Sequence, residues 1–219
     1  MEQSVFKDFD VKYDFDALRQ HLRIKPGHKA ESQLQNLLEA AAPISYPKAA
    51  IIIARPEAGG DEEVRLGSAV FHSHLLQQHL EGQDWAVAFV ATCGQELASW
   101  ARDLNGLDQF IAEEIMINCL RQARAQLEDS LLERFGVEII SAMNPGSLPK
   151  EWPLTEQRPL FDLLGSLPGE IGVELLPSYL MNPGKSVSGI YFKTEEKYHN
   201  CQLCTKLDCP SRRAPYQNM

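Results

Sequence analysis

The chain has 219 residues, of which 44% are hydrophobic and 23% charged, a composition typical of a soluble globular protein with a sizeable core. Its net charge of −9 argues against nucleic-acid binding, because contacts to phosphates require a basic face. No apolar run reaches the roughly 18 residues of a membrane span, and the acidic N-terminus lacks the apolar segment of a signal peptide. We therefore expect a cytoplasmic protein that does not bind a membrane.

Hydrophobic periodicity and turn residues predict a mixture of short helices and strands over the first 94 residues. Asp14 is a typical cap for the first helix, and Pro26 ends it. Short β-branched runs between turn residues are typical of buried strands. The predicted helices cover 14–24, 31–42 and 73–82, and the predicted strands cover 47–55, 63–71 and 84–94.

One long helix is predicted from about Leu107 to Phe135, where apolar residues recur every third or fourth position and Gly136 is a typical C-terminal stop. After it we predict a strand at 137–143, a helix capped by Thr155 at 155–165, and two strands within 172–193. Because strands and helices mix without strict alternation, the pattern favours one α+β domain with a largely antiparallel or mixed sheet.

Three of the five cysteines lie within nine residues near the C-terminus, at Cys201, Cys204 and Cys209. Two thiolates separated by two residues can bind one ion, because a tight turn directs both sulfurs the same way, and the third can close the loop. His199 is the nearby candidate for a fourth ligand. The sequence thus predicts a metal site for zinc or an iron–sulfur cluster, and the alternative is an unliganded tail with reactive thiols.

Other potentially reactive side chains are interpreted as structural. Cys93 and Cys119 fall within a strand and the long helix, where a cysteine is usually a small buried apolar residue. His72, His74 and His79 lack the spacing of metal ligands on one helical face, and we expect them to be solvated or to cap a helix. The sequence contains no Ser–His–Asp pattern, P-loop or dinucleotide-binding fingerprint.

The segment "LPSYLMNPGKSVSGIYF" (176–192) resembles the activation domain of vitamin B12-dependent methionine synthase. That family carries an aromatic segment, a Pro-centred turn and a Ser-Val-Ser-Gly run before an aromatic pair. The matching residues here are Tyr179, Pro183, Ser186, Val187, Ser188, Gly189, Tyr191 and Phe192. The similarity extends over most of the chain and implies a single α+β domain with a twisted antiparallel sheet and flanking helices at 1–195. A Cys-rich tail follows at 196–219.

The resemblance also implies a ligand, because this domain of methionine synthase binds S-adenosylmethionine over the cobalamin. We assign the candidate ligand contacts to Tyr191, Phe192, Asp14, Gly146 and Ser188. The aromatic pair would contact the adenine or the sulfonium cation. The arginine with which the family would clamp the ligand carboxylate falls on Ala142, which cannot make that contact.

We therefore expect an accessory protein in corrinoid-dependent methyl transfer, which assists the reductive remethylation of cobalamin carried by a partner protein. The electron would come from a separate donor or through a cysteine-bound iron–sulfur cluster. Two alternatives are a non-catalytic module that binds a corrinoid or S-adenosylmethionine and has a structural zinc tail, and a small-molecule methyltransferase on the same fold. Whether the protein turns over a substrate is left open by the sequence.

Overall fold

A five-stranded antiparallel sheet forms the centre of the computed structural model, which describes residues 1–209 and 212–217. In chain order the strands are β1 (Glu2–Phe6), β2 (Lys48–Ala54), β3 (Pro56–Ala58), β4 (Glu63–Leu66), β5 (Ala69–His72), β6 (Ala86–Thr92), β7 (Ile140–Met143), β8 (Glu174–Leu175), β9 (Met181–Asn182) and β10 (Ser186–Lys193). The central sheet has the order β1-β2-β6-β10-β7. The other strands form a sheet of β3-β4-β5 and a pair of β8 and β9. The predicted α+β fold is confirmed.

The helices surround this sheet, and several of them begin and end at the residues that the sequence predicts. They are α1 (Phe15–His21), α2 (Ala30–Ala41), α3 (His74–Leu80), α4 (Gln95–Arg102), α5 (Gly106–Phe135), α6 (Gln157–Leu164) and α7 (Leu167–Glu170). Asp14 caps α1 by accepting the backbone N–H of Ala17 at 3.0 Å, and Gly136 ends α5 in the left-handed conformation. None of the helices in the described ranges is long and apolar enough to span a membrane.

Some predicted elements differ from the structure. The single strand predicted at 63–71 is a hairpin of β4 and β5, because Gly67 has a φ of +60° and turns the chain within the apolar run. The side chain of Thr155 does not cap α6, since a 3-10 helix at Leu154–Glu156 leads directly into it. The predictions did not include β1, β3, α4 or α7.

Strand β10 lies between β6 and the edge strand β7, and its side chains alternate between the two faces of the sheet. Successive side chains of a strand point to opposite faces, so the neighbours Tyr191 and Phe192 belong to different clusters of the core. Tyr191 packs on the face covered by α5, together with Phe89 and Leu127. Phe192 packs on the other face with residues of α3, α6 and the small sheet. Both aromatic side chains are fully buried.

The tail predicted from residue 196 packs beside β7 as far as the structure describes it. The backbone N–H of Tyr198 donates to Ser141 Oγ at 2.8 Å, and Lys197 Nζ donates to the carbonyl oxygen of Ile140 at 2.7 Å. Tyr198, Leu203 and Cys204 contact the core cluster on the Phe192 face of the sheet. The tail thereby closes one end of the space between β7 and α5. A domain boundary at 195/196 stays a prediction.

Gly189→Ala should destabilise the protein strongly, because a Cβ at this position of β10 would lie 2.1 Å from the carbonyl oxygen of Met143. Overpacking in a core typically costs about 1–3 kcal/mol of the free energy of unfolding. Urea unfolding measures the effect. Gly169→Ala is the control, since no atom lies within 4 Å of that added Cβ, and it should change the free energy by less than about 0.5 kcal/mol. Equal midpoints for the two variants would contradict this account of β10.

Candidate functional site

A cavity of about 290 Å³ lies between α5, β7, the loop after β7 and the C-terminal tail. Arg124 and Glu128 line it from α5, one helical turn apart, and Ala142 lines it from β7. The tail contributes residues 197–201, Cys204, Cys209 and Arg213. The cavity thus collects polar groups from three parts of the chain that are distant in sequence.

Arg124 is held at the wall of this cavity by a network that includes Tyr191 of strand β10. Its Nε donates to Tyr191 Oη at 3.0 Å and to Glu128 Oε1 at 3.2 Å, while the Tyr191 hydroxyl donates to the same carboxylate oxygen at 3.1 Å. The guanidinium lies 5.7 Å from the centre of the Tyr191 ring and 5.8 Å from that of Phe89. Burial raises the pKa of Tyr191, so its hydroxyl stays protonated.

The network leaves the two terminal nitrogens of the Arg124 guanidinium, which form its fork, available for a ligand. All of its protein hydrogen bonds use Nε, and no described residue accepts a bond from Nη1 or Nη2. The two terminal nitrogens of an arginine are the donors that clamp a carboxylate or phosphate in a bidentate manner. Arg124 is therefore oriented by one nitrogen and free to bind an anion with the other two.

The cavity is cationic although the whole protein carries a net charge of −9. Its ionised side chains are those of Arg124, Lys197, Arg213 and Glu128, which sum to a charge of +2. Lys197 Nζ lies 3.0 Å from Glu128 Oε2. Burial, aided by the positive charges of Lys197 and Arg213, lowers the pKa of His199, so this ring is neutral at pH 7. These positive charges favour a carboxylate or phosphate group of a ligand in this part of the cavity.

Two polar groups of the tail are buried without a partner among the described residues. The Tyr198 hydroxyl and Asn200 Oδ1 have no hydrogen bond, although both residues line the cavity. Asn200 is fixed through its Nδ2, which donates to Asn144 Oδ1 at 3.0 Å. Both atoms have almost no solvent-accessible surface, so they lie buried beside the cavity and do not open into it.

A stack of rings positions Tyr198. The His79 ring packs against Phe192 with the ring centres 4.8 Å apart and against Tyr198 at 4.7 Å. His79 is thus a packing residue, and the prediction that it is solvated or caps a helix is wrong. Burial lowers its pKa, and its Nε2 has no partner among the described residues.

None of the five predicted ligand residues lines this cavity directly. Tyr191 and Phe192 are buried in the core, where Tyr191 acts on the cavity only by holding Arg124. Asp14 caps α1 away from the cavity. The aromatic pair and Asp14 therefore do not line this cavity, and their role as ligand contacts stays a prediction.

The two small residues of the predicted set have structural roles. Gly146 adopts a φ of +81° in the turn after β7, and an added Cβ would lie 2.9 Å from Leu154 Cδ1. The Ser188 hydroxyl is buried and donates to Gln157 Oε1 at 2.7 Å, and its carbonyl oxygen accepts from Asn144 Nδ2 at 2.6 Å. Both residues shape the loop that carries Asn144 to the cavity.

The four predicted metal ligands, in contrast, all line the cavity: His199, Cys201, Cys204 and Cys209. Within residues 1–209 and 212–217, however, no three His, Cys, Asp or Glu side chains are arranged to hold a metal ion. The His199 side chain accepts the backbone N–H of Gln202 and so caps the 3-10 helix Asn200–Gln202.

The remaining cysteines have no part in this site. Cys93 and Cys119 are fully buried, as predicted, and burial raises the pKa of the Cys93 thiol to about 12 and that of Cys119 to about 11. Both thiols are therefore protonated and inert at neutral pH.

Four residues that give the cavity its charge and its polar wall are not evident from the sequence: Arg124, Glu128, Lys197 and Tyr198. Arg124 and Glu128 carry one detectable signal, since they are oppositely charged four residues apart on the long helix. That signal is common on solvated helices, so it does not single out these two residues.

Comparisons with known proteins agree with this fold. The sequence model of the family described as vitamin B12 dependent methionine synthase, activation domain, matches residues 144–211. A crystal structure of the MetH reactivation domain bound to AdoHcy is similar at a TM-score of 0.60 and 16% identity, over 91% of this chain and 81% of that chain. No curated protein matches the sequence. The predicted resemblance to the activation domain is confirmed.

His79→Phe should reduce the acid sensitivity of the fold. Because burial holds the pKa of His79 below its usual value, the unfolded chain takes up a proton near pH 6.5 while the folded protein resists it. The stability that a neutral His79 contributes is fully present above about pH 6.5. It is lost as the pH falls from there through the lowered pKa of His79 in the folded protein. Phenylalanine keeps the ring stack and removes the proton site, so the melting temperature should fall less between pH 7 and pH 5 than in the wild type.

The control for this measurement is His74→Gln, which changes an exposed histidine on the same helix. It should leave the pH dependence of the melting temperature as in the wild type. If His79→Phe and the wild type lose stability in parallel on acidification, the buried ring is not the acid-sensitive group.

Proposed function

We propose that the protein binds S-adenosylmethionine in the cavity between α5 and the tail, and that it assists the reductive remethylation of a corrinoid carried by a partner protein. The match to the activation-domain family covers the loop after β7 and most of the tail, which together supply much of the cavity wall. The MetH reactivation domain of similar fold was crystallised with AdoHcy. AdoHcy is what remains of S-adenosylmethionine after its methyl group has left.

The observation that carries the proposal is the free fork of Arg124 beside Ala142. Ala142 stands where the family resemblance places an arginine for the ligand carboxylate. Arg124 reaches the same cavity from α5, and its Nη1 and Nη2 have no partner among the described residues. A guanidinium delivered from the helix thus supplies the bidentate contact that the strand residue cannot make.

The rest of the cavity suits the other groups of the same ligand. Glu128 provides a carboxylate next to Arg124, as required by a ligand that carries an ammonium group beside its carboxylate. The rings of Tyr198 and His199 offer faces for an adenine or a sulfonium cation.

In this role the residues of the chain bind and orient, and the partner contributes the cobalt. S-adenosylmethionine supplies the methyl group, and an electron donor separate from the ligand reduces the cobalt before the transfer. Arg124 and Glu128 would hold the amino-acid end of the ligand at α5. This placement would leave the methyl-bearing sulfur at the open side of the cavity, where a docked corrinoid protein can reach it.

Arg124→Ala should weaken S-adenosylmethionine binding by about 10- to 100-fold, because a charge-assisted hydrogen-bond pair to a carboxylate contributes roughly 1.5–3 kcal/mol. Isothermal titration calorimetry measures the affinity, and circular dichroism checks the fold of each variant. Lys197→Ala is a second variant on the more exposed side of the cavity, and it should weaken binding less, since Lys197 contacts the ligand site through Glu128.

The matched control is Arg102→Ala, which removes an arginine from a different cavity of about 380 Å³ beside α4. It should bind S-adenosylmethionine as the wild type does. Absence of saturable binding to the wild type, or a larger loss with Arg102→Ala than with Arg124→Ala, would overturn the proposed site.

A further inference from the structure

We infer that the cavity of about 380 Å³ between α4, the first half of α5 and the turn from β9 to β10 binds a small organic carboxylate. We call it the α4 cavity. The inference does not rest on the proposed function, because none of the described residues lines both cavities. Glu113 lines the α4 cavity and Arg124 lines the other one, so about three turns of α5, roughly 16 Å, separate them.

The α4 cavity has an apolar base and a polar edge. Its buried lining residues are the apolar side chains of Ala101, Met116 and Pro183. Its polar lining residues are all partly or fully exposed. A concave apolar surface with a few polar groups around it is the usual form of a site for a small molecule, and the volume of this one lies within the usual range.

Arg102 is the residue of the α4 cavity that best suits an anion. Its Nη2 donates to Ser99 Oγ at 2.9 Å, one turn earlier on α4, and this bond orients the guanidinium. In the part of the chain that the structure describes, no group accepts from Nε or Nη1, and no carboxylate forms an ion pair with Arg102. A guanidinium with free N–H groups binds a carboxylate through two parallel hydrogen bonds.

Lys185 adds a second positive charge from the turn between β9 and β10. Its Nζ lies 3.6 Å from Glu113 Oε2, which is longer than a hydrogen bond, so the ammonium keeps the capacity to contact a ligand. Arg102, Lys185 and Glu113 are the charged side chains that line the cavity, and they sum to +1 in a protein of net charge −9. A ligand with one negative charge would balance this local charge.

The turn that carries Lys185 is fixed by hydrogen bonds of the protein itself. The backbone N–H of Cys93 donates to the carbonyl oxygen of Lys185 at 3.1 Å. Ser186 Oγ donates to the carbonyl oxygen of Pro183 at 2.8 Å. Because the wall of the cavity is formed before a ligand arrives, binding costs less conformational entropy than it would at a loose loop.

Three side-chain amides complete the polar edge of the cavity. Gln95 is held by its Nε2, which donates to the carbonyl oxygen of Gly172 at 3.0 Å, and its Oε1 stays available. The amides of Gln109 and Asn182 form no hydrogen bond with any residue in the described ranges. Since an amide both donates and accepts, the favoured ligand is a carboxylate with a short apolar chain and a polar substituent such as a hydroxyl group.

The test uses butyrate as the probe, because it carries a carboxylate on a short apolar chain, and butyramide as its uncharged counterpart. In nitrogen-15-labelled protein, two-dimensional NMR detects the Arg102 Nε–H and the side-chain amides of Gln109 and Asn182. Butyrate should shift these signals saturably, with a dissociation constant in the millimolar range that is typical of so small a ligand. Butyramide and sodium chloride at the same concentrations should leave them in place.

Two substitutions in the α4 cavity should have opposite effects on butyrate binding. Arg102→Ala should weaken it by at least about tenfold, because the charge-assisted hydrogen bonds to the carboxylate are lost. Glu113→Gln removes the negative charge beside Lys185 and should tighten binding by up to about fivefold. Arg121→Ala is the control, since it removes an exposed arginine of α5 that lines neither cavity, and it should leave butyrate binding unchanged.

Three outcomes would overturn the inference: no saturable shift of these signals, equal shifts with butyramide, or weaker binding in Glu113→Gln than in the wild type. The last result would show that the cavity prefers a cation. Binding of S-adenosylmethionine is measured separately and depends on Arg124, so a failure of butyrate to bind leaves the proposed function standing.

Discussion

The hydrogen bonds among Arg124, Tyr191 and Glu128 connect the long helix to strand β10 and determine what the cavity can bind. A guanidinium half enclosed by protein is costly unless it is paired and hydrogen-bonded, and here one carboxylate and one phenol satisfy it through Nε. The remaining two nitrogens stay available for an anion. Two rings below the guanidinium fix its plane, so its fork is oriented before any ligand arrives.

The sequence predicts the regular elements of the fold well and the cavity poorly, for a physical reason. The long helix is evident from its own periodicity and from Gly136, because both signals are local. Which side of that helix reaches the cavity depends on how it packs against β10, and Arg124 and Tyr191 lie 67 residues apart in sequence. The edge strand β1 escaped prediction because its five residues are too few and too polar to show a period.

The aromatic pair illustrates the limit of a resemblance to a motif. Two adjacent residues of a strand cannot both face one ligand, since their side chains alternate across the sheet. Tyr191 holds Arg124 on one face, while Phe192 supports His79 and Tyr198 on the other. Each therefore influences the cavity from the core. The cysteine cluster is visible in the sequence because its spacing is local, and the structure adds that the three cysteines share the cavity with Arg124, while the metal site stays a prediction.

The proposed ligand site and three cysteines of the tail lie at one cavity, and the proposed function is that this protein promotes the remethylation of a corrinoid. The most direct measurement is the amount of methylcobalamin formed on a cobalamin-binding module loaded with cob(II)alamin, in the presence of S-adenosylmethionine and a chemical reductant. The account predicts that methylcobalamin forms faster when the wild-type protein is added and that Arg124→Ala loses most of this effect. An equal rate with and without the protein would contradict it.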